Sequence, residues 1–168
     1  MFSRECAEYD VTTPQGTTVM LLANHFKSRI GGASGKLRER QAKRVKATYE
    51  SIVARRQKNV VVLADLNDDV SSTWIAPLVT QTDLKDITTH PKYVGDGRNG
   101  TYGNGTDNDK LDWILLSPAL WSKVKAGGIE RRGVWGGAHG TLFPHLPEIT
   151  KPGQAASDHA ALWAEVEV

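Results

Sequence analysis

Asn59-Val60-Val61-Val62-Leu63-Ala64-Asp65-Leu66-Asn67-Asp68-Asp69 decides the fold class of this 168-residue chain. A short β-branched apolar run bounded by polar residues reads as a buried strand, and its abrupt change to carboxylates and amides marks the strand end. Upstream, residues 37–57 carry Val45, Tyr49, Ile52 and Val53 on one stripe and most basic residues elsewhere, which predicts a helix. Before that helix comes a strand over 17–25 whose core, Val19-Met20-Leu21-Leu22-Ala23, is apolar on both faces and therefore central. Thr13-Pro14-Gln15-Gly16 is a turn with Pro at the second position, so a strand over 5–11 precedes it as a hairpin partner.

Downstream, Ser71 or Ser72 is placed to cap a short helix ending near residue 79, and a short strand is expected over 84–87. Residues 90–108 are a Gly/Asn/Asp-rich loop of a length associated with function. Residues 111–116 read as a strand ended by Ser117-Pro118. A further strand over 125–135 is interrupted at Gly127-Gly128, and a second long loop covers 135–154. In the last strand Leu162, Ala164, Val166 and Val168 alternate with Trp163, Glu165 and Glu167. Strands alternating with helices early and dominating late predict one α/β domain with a mixed sheet.

Apolar content of 39% and charged content of 24% are those of an ordinary globular domain with a sizeable core. No apolar run approaches membrane-spanning length, and the first six residues lack the apolar core of a secretory signal. The single cysteine, Cys6, excludes an internal disulfide. From residue 27 to 58 there are eleven Lys/Arg against two acids, a charge of +9 that leaves −7 elsewhere for a net charge of +2. That asymmetry fits either a polyanionic partner or a solvated basic helix face.

Four polar clusters fall at strand ends: Asn24-His25-Phe26-Lys27-Ser28, the Asp65–Asp69 stretch, Asp112, and Ser157-Asp158-His159. Sites in α/β sheets gather beyond strand termini. If the strand persists, Asp65 and Asn67 share a face and can grip a phosphoryl oxygen while positioning water; otherwise they are turn residues. Asp112 sits one residue into an apolar strand, where a carboxylate needs a partner. A histidine suits it, with His159 the candidate and His25 the competitor; the alternative is an edge aspartate beside Lys110. His25 and Lys27, two apart, can both approach an anionic oxygen. His90, His139 and His145 read as surface histidines, Asp107, Asn108 and Asp109 as loop charges, and the five tryptophans as packing residues.

Asn24-His25-Phe26-Lys27-Ser28, Ala64-Asp65-Leu66-Asn67-Asp68, Leu111-Asp112-Trp113-Ile114-Leu115-Leu116-Ser117 and Ser157-Asp158-His159, in that order, resemble the endonuclease/exonuclease/phosphatase (deoxyribonuclease-I-like) superfamily over most of the chain. Order and approximate spacing both fit, and Ala64 stands where the family usually has Gly. The resemblance implies a four-layer α/β sandwich with mixed, mainly antiparallel sheets, and divalent-metal-dependent phosphoester hydrolysis, with magnesium first and manganese as the alternative. It implies that His159, oriented by Asp112, acts in attack or transition-state stabilisation. It implies that Asp65 positions or activates water or assists the leaving group, and that Asn67 and His25 contact the phosphate. Lys27 is assigned to the substrate phosphate and Asp158 to the metal. Which of Asp65 and His159 is the base stays open. The family normally opens with strands carrying an early Asn and a metal-ligand Glu that have no counterpart here, Glu5 and Glu8 lying in a strand without the matching pattern. The chain is therefore expected to be an incomplete single domain, 1–168, with exposed apolar surface, open sheet edges and a tendency to associate. Among substrates the +9 segment favours nucleic acid, with inositol phosphates and phospholipid head groups as alternatives and a non-catalytic, polyanion-binding module as the rival class.

Overall fold

The computed structural model describes residues 6–103 and 109–168. Glu5, Asp107 and Asn108 lie outside the described residues. The chain opens with a hairpin of β1 (Ala7–Thr12) and β2 (Thr18–His25), paired antiparallel. Its turn is closed by Gly16 N–H donating to the Thr13 carbonyl, with Gly16 at φ 83°, a conformation that glycine adopts without a Cβ penalty. Helix α1 (Ser34–Ala54) crosses over to β3 (Val60–Asp65), which pairs parallel with β2. After the short helix α2 (Ala76–Val79) come β4 (Lys85–Asp86), a 3-10 turn (Ile87–Thr89) and β5 (Tyr93–Val94). Then follow β6 (Asp112–Leu116), helix α3 (Pro118–Trp121), β7 (Val124–Glu130) and β8 (Ala161–Val166).

The strands form a five-stranded mixed sheet in the order β1-β2-β3-β6-β4 and a three-stranded sheet in the order β5-β7-β8. Alternation along the strands gives the larger sheet two apolar faces. Leu22, Val60, Val62, Trp113 and Leu115 point to α1, whose Ala42, Val45, Tyr49 and Ile52 meet them. Val61, Ile114 and Leu116 point the other way, to Ile87, Val124 and Leu162 of the smaller-sheet side. Helices α1 and α2, the larger sheet and the smaller sheet are thus three successive layers of an α/β sandwich, with α3 on the smaller-sheet side. No helix among the described residues is long and apolar enough to cross a membrane.

Several local expectations are corrected. Val53 is exposed, and the buried stripe of α1 continues instead through Arg38 and Gln41. Arg38 Nε donates to Asp68 Oδ2 at 2.7 Å and its Nη1 to the Lys27 and Ser28 carbonyls, so one of the eleven basic residues is an interior tie rather than a solvated charge. Neither Ser71 nor Ser72 caps α2, which starts after Ile75; Ser71 N–H and Oγ–H both turn to Asp69. Only Lys85 and Asp86 of residues 84–87 are strand, because Asp86 Oδ1 accepts from Thr88 N–H and winds the chain into the 3-10 turn. The loop expected over 90–108 contains β5. β7 runs through Gly127 and Gly128 without a break. A Cβ on Gly127 would sit 3.1 Å from Ile87, and one on Gly128 would sit 3.0 Å from the Trp163 ring, so both glycines admit close packing. Trp74 and Trp163 are partly exposed, whereas Trp113 is buried.

The smaller sheet does not cover all of the larger one. Tyr9 and Val11 pair with Leu21 and Val19 on the face that β8 covers farther along, and Tyr9 (55%), Val11 (44%) and Leu63 (37%) remain exposed there. β1 and β8 each have one neighbour among the described residues.

Candidate active site

β2 and β3 run parallel and β6 runs against β3, so the ends of the first two meet the start of the third. The register places His25 opposite Asp65, and Asp65 opposite Asp112. By strand alternation Asp65 and Asp112 share the face of Val61, Ile114 and Leu116, between the sheets, with α1 behind. Asp112 is the first residue of β6 rather than one residue inside it.

β3 stops at Asp65. Asn67 adopts φ 51°, yet the turn returns its amide to the cluster. Its Nδ2 donates to Asp65 Oδ2 (3.1 Å) and to the Phe26 carbonyl (3.1 Å), and its backbone N–H to Asp65 Oδ1 (2.8 Å). Turn chemistry and a shared site therefore coexist at these residues. His25 Nε2 lies 3.2 Å from Asp65 Oδ2. Burial pushes the Asp65 carboxyl above its ordinary value; the Asn67 N–H pulls it down, the Asp112 charge pushes it up again, and His25 and His159 pull it down.

His159 Nδ1 lies 2.8 Å from Asp112 Oδ2, so His159 and not His25 is the partner of Asp112. Lys110 turns to Asp86 (Nζ to Oδ2, 2.8 Å). Burial lowers the His159 pKa, but the Asp112 hydrogen bond and charge, with the charges of Asp65 and Asp158, outweigh it and leave the imidazole raised. An ionised carboxylate only accepts, so the Asp112 bond puts the proton on Nδ1 and leaves Nε2 for another partner. The Tyr102 ring lies 4.8 Å from the His159 ring, centre to centre.

The two remaining candidates are placed differently. Lys27 Nζ bonds Ser28 Oγ (3.2 Å) and the Ile30 carbonyl (2.9 Å). Asp158 is exposed beside His159, whose N–H donates to Ser157 Oγ at 2.9 Å. Among the described residues no group of three or more His, Cys, Asp or Glu side chains is arranged to hold a metal ion. A magnesium ion is held by one or two carboxylates with water and substrate phosphate completing its shell, and in the cleft Asp65 and Asp112 are the carboxylates that could contribute. Three residues near the cluster carried no signal in the sequence reading. Arg29 donates to the Asn67 carbonyl (3.2 Å) and to Asp109 Oδ1 (3.0 Å) but looked like one more charge in a basic run. Thr101 and Tyr102 sit in a loop without periodicity. His90 packs edge-on against Trp121 and His145 stacks on Trp135, both away from the cluster residues.

An open cleft of about 390 Å³ is lined by Leu63, Asp65, Asp112, Ile114 and Leu162, among others. A larger cleft of about 750 Å³ shares Leu162 and is lined by Ser71, Thr88, Asn99 and Lys110, among others, but includes neither Asp65 nor Asp112. The smaller one, holding both carboxylates, is where chemistry can be aimed. The exposed basic residues of α1 lie across the larger sheet from it.

No protein-family model matches the chain, and no curated protein matches it by sequence. Solved structures do. An endonuclease/exonuclease/phosphatase family protein from Bacteroides thetaiotaomicron is 25% identical with a TM-score of 0.53, covering 69% of this chain and 40% of that one. A mannosyl-6-phosphatase of the same organism is 22% identical with a TM-score of 0.61, covering 91% and 52%. A truncated TDP2 from Caenorhabditis elegans is 19% identical with a TM-score of 0.59, covering 92% and 56%. The chain has the fold of the endonuclease/exonuclease/phosphatase proteins, and it spans about half the length of the structures it matches.

Proposed function

We propose that the protein is a phosphoester hydrolase, most concretely a phosphodiesterase, whose reacting phosphate sits in the cleft between Asp65 and the Asp112–His159 pair. The observation that carries this is the 2.8 Å Asp112–His159 contact set beside Asp65 at the meeting of three strand ends. The fold shared with phosphoesterases supports it. The raised His159 pKa keeps the imidazole cationic to higher pH, which suits stabilising charge on the phosphoryl oxygens. The raised Asp65 pKa makes that carboxylate a better base for water, and Asn67 and His25 hold it in place. Asp65 is thus assigned as base and His159 as electrostatic stabiliser.

The resemblance implies magnesium or manganese. Asp158 is a single exposed carboxylate here, so the proposed steps use only the chain's own groups, and dependence on either ion is a quantity to measure. Nucleic acid stays the favoured substrate on charge alone, but the basic helix supports it weakly because it lies behind the sheet. A second reading is that these 168 residues do not turn over by themselves; the lack of a three-donor metal group among the described residues and the half-length match favour it. The test is phosphate or alcohol release from a panel of nucleotide, glycosyl, inositol and phospholipid phosphoesters, with and without magnesium. Turnover of at least one phosphoester that is lost in Asp65→Asn supports the proposal. No turnover of any member of the panel, with or without magnesium, overturns it.

A further inference from the structure

Asp112 opens β6 of the larger sheet and His159 lies in the loop just before β8 of the smaller one; they are separated by 47 positions, yet their contact is 2.8 Å. One residue outside both strands touches the backbone of each side. Thr101, 1% exposed, accepts at its Oγ1 from the Leu111 N–H and the Asp112 N–H, both at 3.0 Å. Its carbonyl accepts from the Ala160 N–H, the residue after His159, at 2.7 Å. Its own N–H donates to the Asp109 carbonyl at 2.9 Å, and the next residue, Tyr102, forms an antiparallel bridge with His159. The Leu111 carbonyl in turn accepts from the Leu66 N–H, one residue after Asp65, which extends the same network to β3.

We infer that Thr101 is a positioning residue for the proposed hydrolysis: its hydroxyl fixes the start of β6 and its carbonyl fixes the His159 loop, so it sets the Asp112–His159 geometry across the two sheets. It touches no reacting group and acts through Asp112 and His159. This rests on the proposed function for its catalytic meaning, but the geometric claim stands apart from it. A side-chain hydroxyl that accepts two buried N–H groups cannot be replaced by a methyl without leaving both unpaired. Misplacement of a catalytic pair by a fraction of an ångström to 1 Å lowers rate by about 10- to 100-fold.

The experiment compares wild type, Thr101→Val and Thr101→Ser by two readouts. The first is the 15N-edited NMR signature of the His159 Nδ1–H, which reports the tautomer and its hydrogen bond without requiring activity. The second is kcat and KM on whichever phosphoester the wild type hydrolyses. Expected are loss or broadening of the Nδ1–H signal in Thr101→Val, a fall in kcat of about 10- to 100-fold with KM within about twofold, and recovery of both in Thr101→Ser. An unchanged Nδ1–H signal in folded Thr101→Val overturns the inference, as does a Thr101→Ser that fails to recover it. If Thr101→Val does not fold, Thr101→Cys, a weaker acceptor, takes its place with the same expected direction, and an unchanged signal there overturns the inference equally. A wild type that hydrolyses nothing, with the Nδ1–H signal still lost in Thr101→Val, supports the positioning role and counts only against the proposed hydrolysis.

Discussion

Replacing Asp112 by Asn keeps shape and removes charge from the carboxylate that faces His159. With heavy atoms 2.8 Å apart, the charge centres of an imidazolium–carboxylate pair lie about 4 Å apart, worth about 4 kcal/mol at an effective dielectric of about 20. The two side chains are 27% and 23% exposed, so water screens part of this. About 2–3 kcal/mol remains for stabilising the cationic ring, or about 30- to 150-fold in rate if that ring acts in the transition state. The amide can also donate to Nδ1 and so turn the ring to the other tautomer, which adds to the loss. Expected for Asp112→Asn is therefore a fall in kcat of about 10², with folding stability changed by no more than about 1 kcal/mol at a pH where the ring is neutral. Steady-state kinetics on a chromogenic phosphodiester and urea unfolding followed by circular dichroism measure the two. A kcat within about fivefold of wild type, in a variant of unchanged stability, would refute the claim that Asp112 works through His159.

The pH–rate profile should be bell-shaped. The raised Asp65 pKa puts the acid limb above the usual carboxylate range, activity rising with pH as Asp65 ionises, and the raised His159 pKa puts the alkaline limb above the usual imidazole value, activity falling as the ring loses its proton. In the residual activity left to Asp65→Asn the acid limb should be absent; its persistence there would assign that limb to another group. On the stability side, a raised histidine pKa contributes stability fully present below about pH 6.5, its unfolded value, and lost as pH climbs through the folded one. Arg38→Met should cost about 3–5 kcal/mol in chemical unfolding, because it leaves the buried Asp68 carboxylate without its 2.7 Å partner; a cost below about 1 kcal/mol would mean that Asp68 finds water or another donor. Tyr9→Lys with Val11→Lys should reduce self-association and dye binding in light scattering and fluorescence, since both side chains belong to the uncovered apolar face. No change in either would place the sticky surface elsewhere.

Much of this was legible in the amino-acid order. The Val60–Asp65 strand announces itself because an unbroken apolar run, three valines followed by Leu63 and Ala64, leads up to a carboxylate, the composition of a strand covered on both faces. That Asp112 needs a partner was legible because a carboxylate in an apolar strand is costly unless paired, but the residues alone left His159 and His25 both open, and the 2.8 Å contact selects His159. Other features were not, for identifiable reasons. Val53 fits the helical stripe, but the interior at that end is filled by Tyr49 and Ile52, while Arg38 is drawn inside by Asp68, a contact thirty positions away that no local pattern encodes. Gly127-Gly128 looks like a break because glycine weakens strands, whereas here Ile87 and Trp163 occupy the space. Thr101 was invisible because its role consists of backbone contacts to two distant segments. The direction of the basic helix, behind the sheet that carries Asp65, depends on the crossover between β2 and β3 and not on the charges themselves.

The central claim is that the cluster around His159 hydrolyses a phosphoester. The most direct measurement is turnover of a generic phosphodiester, with magnesium present, by the protein and by its His159→Ala variant under identical conditions. Measurable turnover is expected in the first and a loss of about 10²-fold or more in the second. Equal turnover in the two proteins would contradict the central claim.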